Sequence, residues 1–267
     1  MPYVSICQGK IHWIDAGPAD GTAIVLIHGL GGDAGFWQAE LKDLARHYRV
    51  LAVDLRGFGE SVGGWQAFSI DEFAADVVAV LDAAGIATAH IIGFSMGGLV
   101  AQALVINAPD RVSSLTLAAT FATTNLQSRL FLTAVGAVYC GGASPKQIYD
   151  LILPWLFSAE FLTSPRAEPF IHHDEEESGE SARSAWLRSL EAQLSFDSRE
   201  RLAGIDVPTL IICGEEDCLA TRGDAEELLA GIRGAELKII PGGHLMNIES
   251  PKVFMSCIES FLHKASS

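Results

Sequence analysis

A serine framed by glycines is the residue of this 267-residue chain whose setting most favours covalent chemistry. Residues 93–98 read Gly-Phe-Ser-Met-Gly-Gly, a G-x-S-x-G pattern between a predicted strand over residues 90–94 and a predicted helix over residues 96–107. Such a tight turn strains the serine backbone and requires glycines where a Cβ would clash. Ser95 is therefore the predicted nucleophile, with a glycine-rich turn that only packs a helix on its strand as the alternative.

A working serine also needs a general base and a group that orients the base. His244 is the predicted base, because it follows a predicted strand over residues 236–240 and a flexible Pro-Gly-Gly turn that can reach the strand ends. Three acids, Glu215, Glu216 and Asp217, follow the preceding predicted strand. Asp217 is the preferred orienting group, since the shorter reach from Glu215 would leave that side chain beside the sheet.

Donors for a tetrahedral oxyanion are expected from the backbone. Residues 28–32 read His-Gly-Leu-Gly-Gly, and the N–H groups of Leu30 and Met96 are predicted to form the oxyanion hole. Loss of one such donor typically slows turnover by roughly 10² to 10³. A phosphate-binding loop is disfavoured, because no G-x-G-x-x-G opens the first helix and no P-loop lysine follows these glycines. No cofactor is therefore predicted.

Other polar residues near the predicted strand ends are expected to be structural. Asp54 and Arg56 are expected to fix a sharp turn by charge-assisted hydrogen bonds. The remaining histidines precede the serine, lack a third ligand at metal spacing, or fall in scaffold elements: His12, His28, His47, His90, His172, His173 and His263. The sequence thus predicts no metal site.

The elements that must position these residues are short β-branched strands alternating with longer helices. A hairpin with strands over residues 4–8 and 11–16 and a Gly9-Lys10 turn precedes strands over residues 23–27, 49–54, 90–94, 112–118, 208–214 and 236–240, with helices over residues 35–47, after Ser69, and over residues 96–107, 224–230 and 251–263. Buried strands separated by helices are typical of right-handed crossovers over a parallel sheet. The predicted fold class is α/β.

Residues 121–202 interrupt this rhythm with helical patterns and no convincing strand. They predict an all-helical insertion into a core formed by residues 1–120 and 203–267. Its aromatic side chains are expected to cover the serine with a mostly apolar pocket, although helix packing is the simpler role for Trp155 and Phe157. An acidic run over residues 174–177 is expected to be a solvated loop or helix face.

Composition and charge narrow the possible partners and compartment. At this length a core can bury roughly three quarters of the unfolded surface without disulfides or metals. A net charge of −15 disfavours nucleic acids and anionic membrane surfaces as partners, so a small-molecule substrate is expected. Five cysteines without a C-x-x-C pair, no export segment and no membrane-spanning run indicate a cytoplasmic protein.

Five motifs in order, H-G-x-G-G, D-x-R-G-x-G-x-S, G-x-S-x-G-G, G-x-x-D and G-G-H, resemble those of the α/β-hydrolase family over essentially the whole chain. The chain order Ser95, Asp217, His244 is that of this family. The resemblance implies an eight-stranded, mostly parallel sheet with helices on both faces and a helical cap after the sixth strand. It implies no metal or organic cofactor.

A narrower similarity is to 3-oxoadipate enol-lactonases and aminoacrylate hydrolases, through residues 95–98, 153–162 and 243–251. Members of the family that open epoxides or displace halide carry an aspartate at the position of Ser95. The serine in this chain therefore disfavours both of those reactions. We expect a serine carboxylesterase acting on a small, uncharged or weakly anionic ester or lactone through an acyl-enzyme. Enol-lactonase chemistry, hydrolysis of carbon–carbon bonds in ring-cleavage products, and a ligand sensor that keeps the fold are the alternatives. The oligomeric state is left open.

Overall fold

The computed structural model describes residues 2–7, 9–63, 66, 68–172 and 180–265. Eight strands of this part form one sheet in the order β1-β2-β4-β3-β5-β6-β7-β8. The strands are β1 (Tyr3–Ile6), β2 (Gly9–Ala16), β3 (Ala23–Ile27), β4 (Arg49–Val53), β5 (Ala89–Phe94), β6 (Val112–Ala118), β7 (Thr209–Gly214) and β8 (Glu236–Ile240). Only the pairings of β2 with β1 and β4 are antiparallel. The predicted α/β class and mostly parallel sheet are confirmed.

Helices connect the strands and fill the interval between β6 and β7. They are α1 (Gln38–Leu44), α2 (Ile70–Ala83), α3 (Met96–Asn107), α4 (Leu126–Cys140), α5 (Pro145–Leu156), α6 (Ala159–Leu162), α7 (Glu168–Ile171), α8 (Glu180–Ser195), α9 (Arg222–Gly231), α10 (Met246–Glu249) and α11 (Pro251–Ala265). Short 3₁₀ turns cover Ala34–Trp37, Pro109–Arg111, Pro165–Ala167 and Arg199–Gly204.

The central strands are apolar on both faces because helices cover both sides of the sheet. In β3, Val25 and Ile27 pack into the core on the side of α2, α3 and α9. Ile24 and Leu26 point to the opposite face and pack into the core that includes α1 and α11. This double burial removes the hydrophobic alternation that a strand with one solvated face would show.

The hairpin prediction was wrong about the position of the turn. Gly9 and Lys10 lie in β2, where they pair with Ile6 and Ser5 of β1. A Cβ on Gly9 would lie 2.0 Å from the Val62 carbonyl oxygen. The glycine is therefore required by a close backbone approach within the sheet edge rather than by a turn.

The predicted helix over residues 35–47 is also shorter than expected. It splits into a 3₁₀ turn over Ala34–Trp37 and an α-helix over Gln38–Leu44. In contrast, α2 begins as predicted, since the Ser69 side chain accepts from the Glu72 N–H and the Glu72 carboxylate accepts from the Ser69 N–H.

The segment between β6 and β7 carries helices α4 to α8, and we call residues 121–202 the cap segment. Its two ends meet in an isolated antiparallel bridge between Thr123 and Asp197. The acidic run over residues 174–177, together with His173, lies outside the described residues. No helix in the described ranges combines the length and apolarity that a bilayer crossing requires.

Candidate active site

Ser95 lies at the sharp turn between β5 and α3, in a backbone conformation that few non-glycine residues adopt. Its φ is 53° and its ψ is −118°. The turn is held from outside, since the Ser95 N–H donates to the Ala118 carbonyl at 2.9 Å and the Thr120 hydroxyl donates to the Ser95 carbonyl at 2.7 Å. Strain of this kind persists only where the surrounding structure stabilises it.

Two glycines make this turn possible by letting α3 pack close to the sheet. A Cβ on Gly93 would lie 2.3 Å from the Gly97 carbonyl oxygen. A Cβ on Gly97 would lie 2.3 Å from the carbonyl oxygen of Ile27 in β3. Any larger residue at either position would push α3, and with it Ser95, away from the strand ends.

The structure brings the three side chains predicted for catalysis into one hydrogen-bonded chain. His244 Nε2 lies 3.0 Å from Ser95 Oγ, and His244 Nδ1 lies 2.9 Å from Asp217 Oδ2. Asp217 Oδ1 accepts from the N–H groups of Leu219 and Ala220 at 2.8 and 2.9 Å. A carboxylate only accepts, so His244 donates from Nδ1 and presents the lone pair of Nε2 to the serine hydroxyl.

The position of Asp217 also resolves the choice among the three neighbouring acids. Glu215 and Glu216 are exposed, whereas Asp217 is 7% exposed. The backbone N–H groups of Glu215 and Glu216 donate to the carbonyls of Ile240 and Gly242. These bonds join the end of β7 to the turn before His244, and they leave Asp217 as the acid that faces the imidazole.

The loop over residues 28–32 runs beside the serine. A Cβ on Gly29 would lie 3.2 Å from Ser95 Cβ. His28 Nε2 accepts from the Leu55 N–H at 3.0 Å, so its Nδ1–H donates to the Gly29 carbonyl at 2.7 Å. Burial lowers the pKa of His28, which favours this neutral form. His28 thus has the structural role expected for it.

The predicted oxyanion donors flank this loop and the serine. Leu30 lines the same cavity as Ser95. Met96 is the first residue of α3, so its N–H is one of the helix-terminal donors without an intrahelical partner. Their joint action on an oxyanion stays a prediction.

A cavity of about 800 Å³ opens at Ser95 and His244. Side chains of the cap segment form its far wall, and apolar or aromatic groups dominate the lining: Leu132, Tyr139, Ile148, Tyr149, Ile152, Leu156, Phe170 and Trp186. Lys146 is the single Lys or Arg among the described lining residues, and its Nζ lies 2.8 Å from Asp150 Oδ2. Neither Trp155 nor Phe157 is among these lining residues; Trp155 stacks on Phe131 and Phe157 on Phe161.

Two further groups bear on the chemistry available at this site. Burial raises the pKa of the Cys213 thiol to about 12, and the nearby Asp217 charge acts in the same direction, so this cysteine is no competing nucleophile. Within the described ranges, no cluster of three or more His, Cys, Asp or Glu side chains is arranged to hold a metal ion.

The sequence interpretation gave no role to Glu249, a buried acid in α10. Its carboxylate accepts from the Gly243 N–H, directly before His244, and from Ser158 of the cap segment. Its spacing of five residues after the histidine was the available signal, but spacing alone does not show which donors a carboxylate meets.

The fold and this site define a class of protein. The family model for the alpha/beta hydrolase fold matches residues 22–136. Relatives that align over at least 94% of both chains are 30% and 34% identical to this one. The chain belongs to the α/β hydrolase fold family.

Its relatives include hydrolases with different named substrates. The chain is 34% identical to "Putative carbamate hydrolase RutD" of Azorhizobium caulinodans, with 98% of each chain covered. It is 30% identical to 3-oxoadipate enol-lactonase 1 of Acinetobacter baylyi, covering 96% of this chain and 94% of that one. The crystal structure of the enol-lactonase from Burkholderia xenovorans LB400 matches with a TM-score of 0.87 at 28% identity, covering 98% and 100% of the two chains. The similarity to enol-lactonases expected from the motifs is confirmed.

Proposed function

We propose that this protein hydrolyses neutral carboxylic esters or lactones through an acyl-enzyme on Ser95. The observation that carries the proposal is the unbroken chain from Asp217 through His244 to Ser95 Oγ, which ends in a largely apolar cavity. Ser95, Asp217 and His244 are the proposed catalytic residues, and the N–H groups of Leu30 and Met96 are the proposed oxyanion donors.

The proposed reaction has two stages. Ser95 Oγ attacks the acyl carbon while its proton moves to His244 Nε2, and Asp217 stabilises the imidazolium that forms. His244 then gives the proton to the leaving oxygen, which departs as an alcohol or, in a lactone, stays attached as the opened chain. A water molecule attacks the acyl-enzyme, its proton passes to His244, and Ser95 is regenerated as the acid leaves.

The cavity supports neutral substrates with an apolar acyl group. Its one Lys or Arg side chain among the described lining residues, Lys146, is already paired with Asp150. A substrate carboxylate bound in such a pocket would lose hydration without gaining an unpaired cation. The volume of about 800 Å³ also exceeds the needs of a two-carbon acyl group.

The relatives favour a second candidate within the same mechanism. Two of them are named as enol-lactonases, and the name of one specifies 3-oxoadipate, a dicarboxylic acid whose enol-lactone keeps one free carboxylate. A third is named as a carbamate hydrolase, which would place nitrogen beside the acyl carbon. Hydrolysis of a carbon–carbon bond remains a further alternative.

A matched substrate pair tests the proposal. We expect fluorophosphonate to label Ser95, and we expect kcat/KM for p-nitrophenyl butyrate to exceed that for the carboxylate-bearing p-nitrophenyl hemisuccinate by about tenfold or more. The methyl ester of the hemisuccinate is the control, because it restores neutrality at similar size and should recover most of the rate. A preference for the carboxylated ester would instead support enol-lactonase-type chemistry.

A ligand sensor that keeps the hydrolase fold is the candidate from another class. It predicts negligible turnover across esters, lactones, carbamates and vinylogous diketones, with ligand-dependent binding of a partner. For the proposed hydrolase, by contrast, the expected partner is a small-molecule substrate.

The five cysteines are free, which supports a reducing compartment such as the cytoplasm.

A further inference from the structure

The residues on the two sides of His244, Gly243 and Leu245, both donate backbone hydrogen bonds that lead to the cap segment. On one side, the Gly243 N–H donates to Glu249 Oε1 at 2.9 Å. On the other, the Leu245 N–H donates to the Leu156 carbonyl at 2.8 Å. The backbone that carries the histidine is therefore fixed on both sides.

Glu249 is shared between the histidine loop and the cap segment. The same Oε1 accepts from the Ser158 N–H at 2.9 Å, and Oε2 accepts from the Ser158 hydroxyl at 2.5 Å. The residue is 9% exposed, so these three donors replace most of its hydration. A buried carboxylate with charge-assisted bonds of this kind favours one geometry strongly.

Close packing joins the same two segments. A Cβ on Gly243 would lie 2.8 Å from both the Phe157 carbonyl carbon and the Ser158 nitrogen. Leu156, whose carbonyl holds the peptide after His244, also lines the cavity. A displacement of residues 156–158 would consequently reach the histidine backbone directly.

We propose that Glu249 is a positioning residue that couples the cap segment to the alignment of His244. The inference rests on the proposed function. A misplacement of about 1 Å in a catalytic group can slow a reaction about 10²-fold, so loss of the carboxylate should lower kcat more than it changes KM. A substrate group that presses on Leu156 would then affect turnover as well as binding.

Four variants test the coupling, with Arg166→Ala as the matched control. Arg166 donates to the backbone carbonyls of Ile248 and Glu249, so it also joins the cap segment to α10 but does not bond Gly243. We expect Glu249→Ala to lower kcat about 10- to 100-fold and Arg166→Ala less than about threefold. Glu249→Gln, whose amide oxygen can still accept from Gly243, should recover part of the loss, and Ser158→Ala should give a small loss.

The second readout is the His244 Nδ1 proton, followed by NMR in each variant, together with the pH midpoint of kcat/KM. We expect both to change in Glu249→Ala and to stay as in the wild type in Arg166→Ala. If Glu249→Ala does not fold, Glu249→Gln and Ser158→Ala carry the test, with both readouts expected to move further from wild type than in Arg166→Ala.

The outcomes separate the two proposals. Equal loss of kcat in Glu249→Ala and Arg166→Ala, in step with their melting temperatures, would show a merely structural role and overturn the coupling. Absence of turnover and of Ser95 labelling in the wild type would overturn the proposed function. In that case an unchanged His244 Nδ1 proton in the Glu249 variants overturns the coupling as well, and a changed one supports it.

Discussion

The part of the chain that the structure describes contains two buried histidine–carboxylate pairs, and they differ in what the second ring nitrogen of the histidine faces. His244 Nδ1 lies 2.9 Å from Asp217, and His12 Nδ1 lies 2.6 Å from Asp54. Both histidines are 3% exposed. His244 directs Nε2 at Ser95 Oγ, whereas His12 Nε2 is buried with no hydrogen-bond partner among the described residues.

The two carboxylates also differ in how far along the chain their backbone donors lie. Asp217 accepts from Leu219 and Ala220, two and three residues ahead in its own loop. Asp54 accepts from the N–H groups of Ala34 and Glu60, and so ties together separate segments of the chain. A histidine and a carboxylate in contact are therefore no site by themselves; a nucleophile and a cavity must lie at the other ring nitrogen.

The sharpest test of this comparison removes the nucleophile. In Ser95→Ala we expect kcat for p-nitrophenyl butyrate to fall by about 10⁵ to 10⁶, since members of a triad act as a unit. The melting temperature should stay within a few degrees, because alanine meets the same backbone strain as serine. Activity within tenfold of the wild type would remove the basis for treating the His244 pair as catalytic.

Matched amide substitutions should separate the two pairs. In Asp217→Asn we expect a loss of about 10⁴ in kcat, because the amide no longer holds the productive tautomer. In Asp54→Asn we expect kcat within about tenfold of the wild type, and a loss of about 1 to 3 kcal/mol in the free energy of unfolding, since one of the two acceptor oxygens becomes an amide NH2 among the buried donors His12, Ala34 and Glu60. Urea denaturation and initial rates on both variants measure this, and a reversed pattern would contradict it.

The buried histidines outside the site predict how stability depends on pH. Burial lowers the pKa values of His28 and His90 below 6.5 in the folded state. The unfolded chain then binds more protons than the folded one below pH 6.5. The contribution of these two histidines to the free energy of unfolding is therefore complete above pH 6.5 and is lost as the pH falls below it. Each group contributes a slope of at most about 1.4 kcal/mol per pH unit.

Urea midpoints between pH 5 and 8 measure this slope. His90→Gln, which keeps a hydrogen-bonding amide near Ser114 Oγ, should flatten the slope. A slope that is unchanged in this variant would show that His90 does not contribute.

The smallest expected effect concerns the second pair. His12→Asn can keep one donor to Asp54 while removing the ring nitrogen that has no partner. We expect a change of about 1 kcal/mol in the free energy of unfolding and no change in kcat, since a single hydrogen bond contributes about that much. Chemical denaturation and ester turnover check this, and a hundredfold loss of kcat would make the two pairs alike.

Local patterns were sufficient for much of the fold. The β5 to α3 unit, with its glycines on both sides of Ser95, was predictable because the patterns of a strand, a strained turn and a helix follow one another directly between Ala89 and Asn107. The turn of the first hairpin was not predictable in this way. Gly9 is required by the approach of Val62, which is more than fifty residues away in the chain.

The sequence by itself determined which residue types stand at the ends of the parallel strands, and so which serine, aspartate and histidine were available to one another. The sequence already favoured Asp217 over Glu215 as the partner of the imidazole. Only the tertiary structure decided that His12 has a carboxylate but no nucleophile, and that Glu249 links His244 to the cap segment. The physical reason is the distance along the chain over which each interaction acts. Backbone conformation and burial patterns depend on neighbouring residues, whereas a hydrogen bond between residues 158 and 249 depends on how distant segments pack.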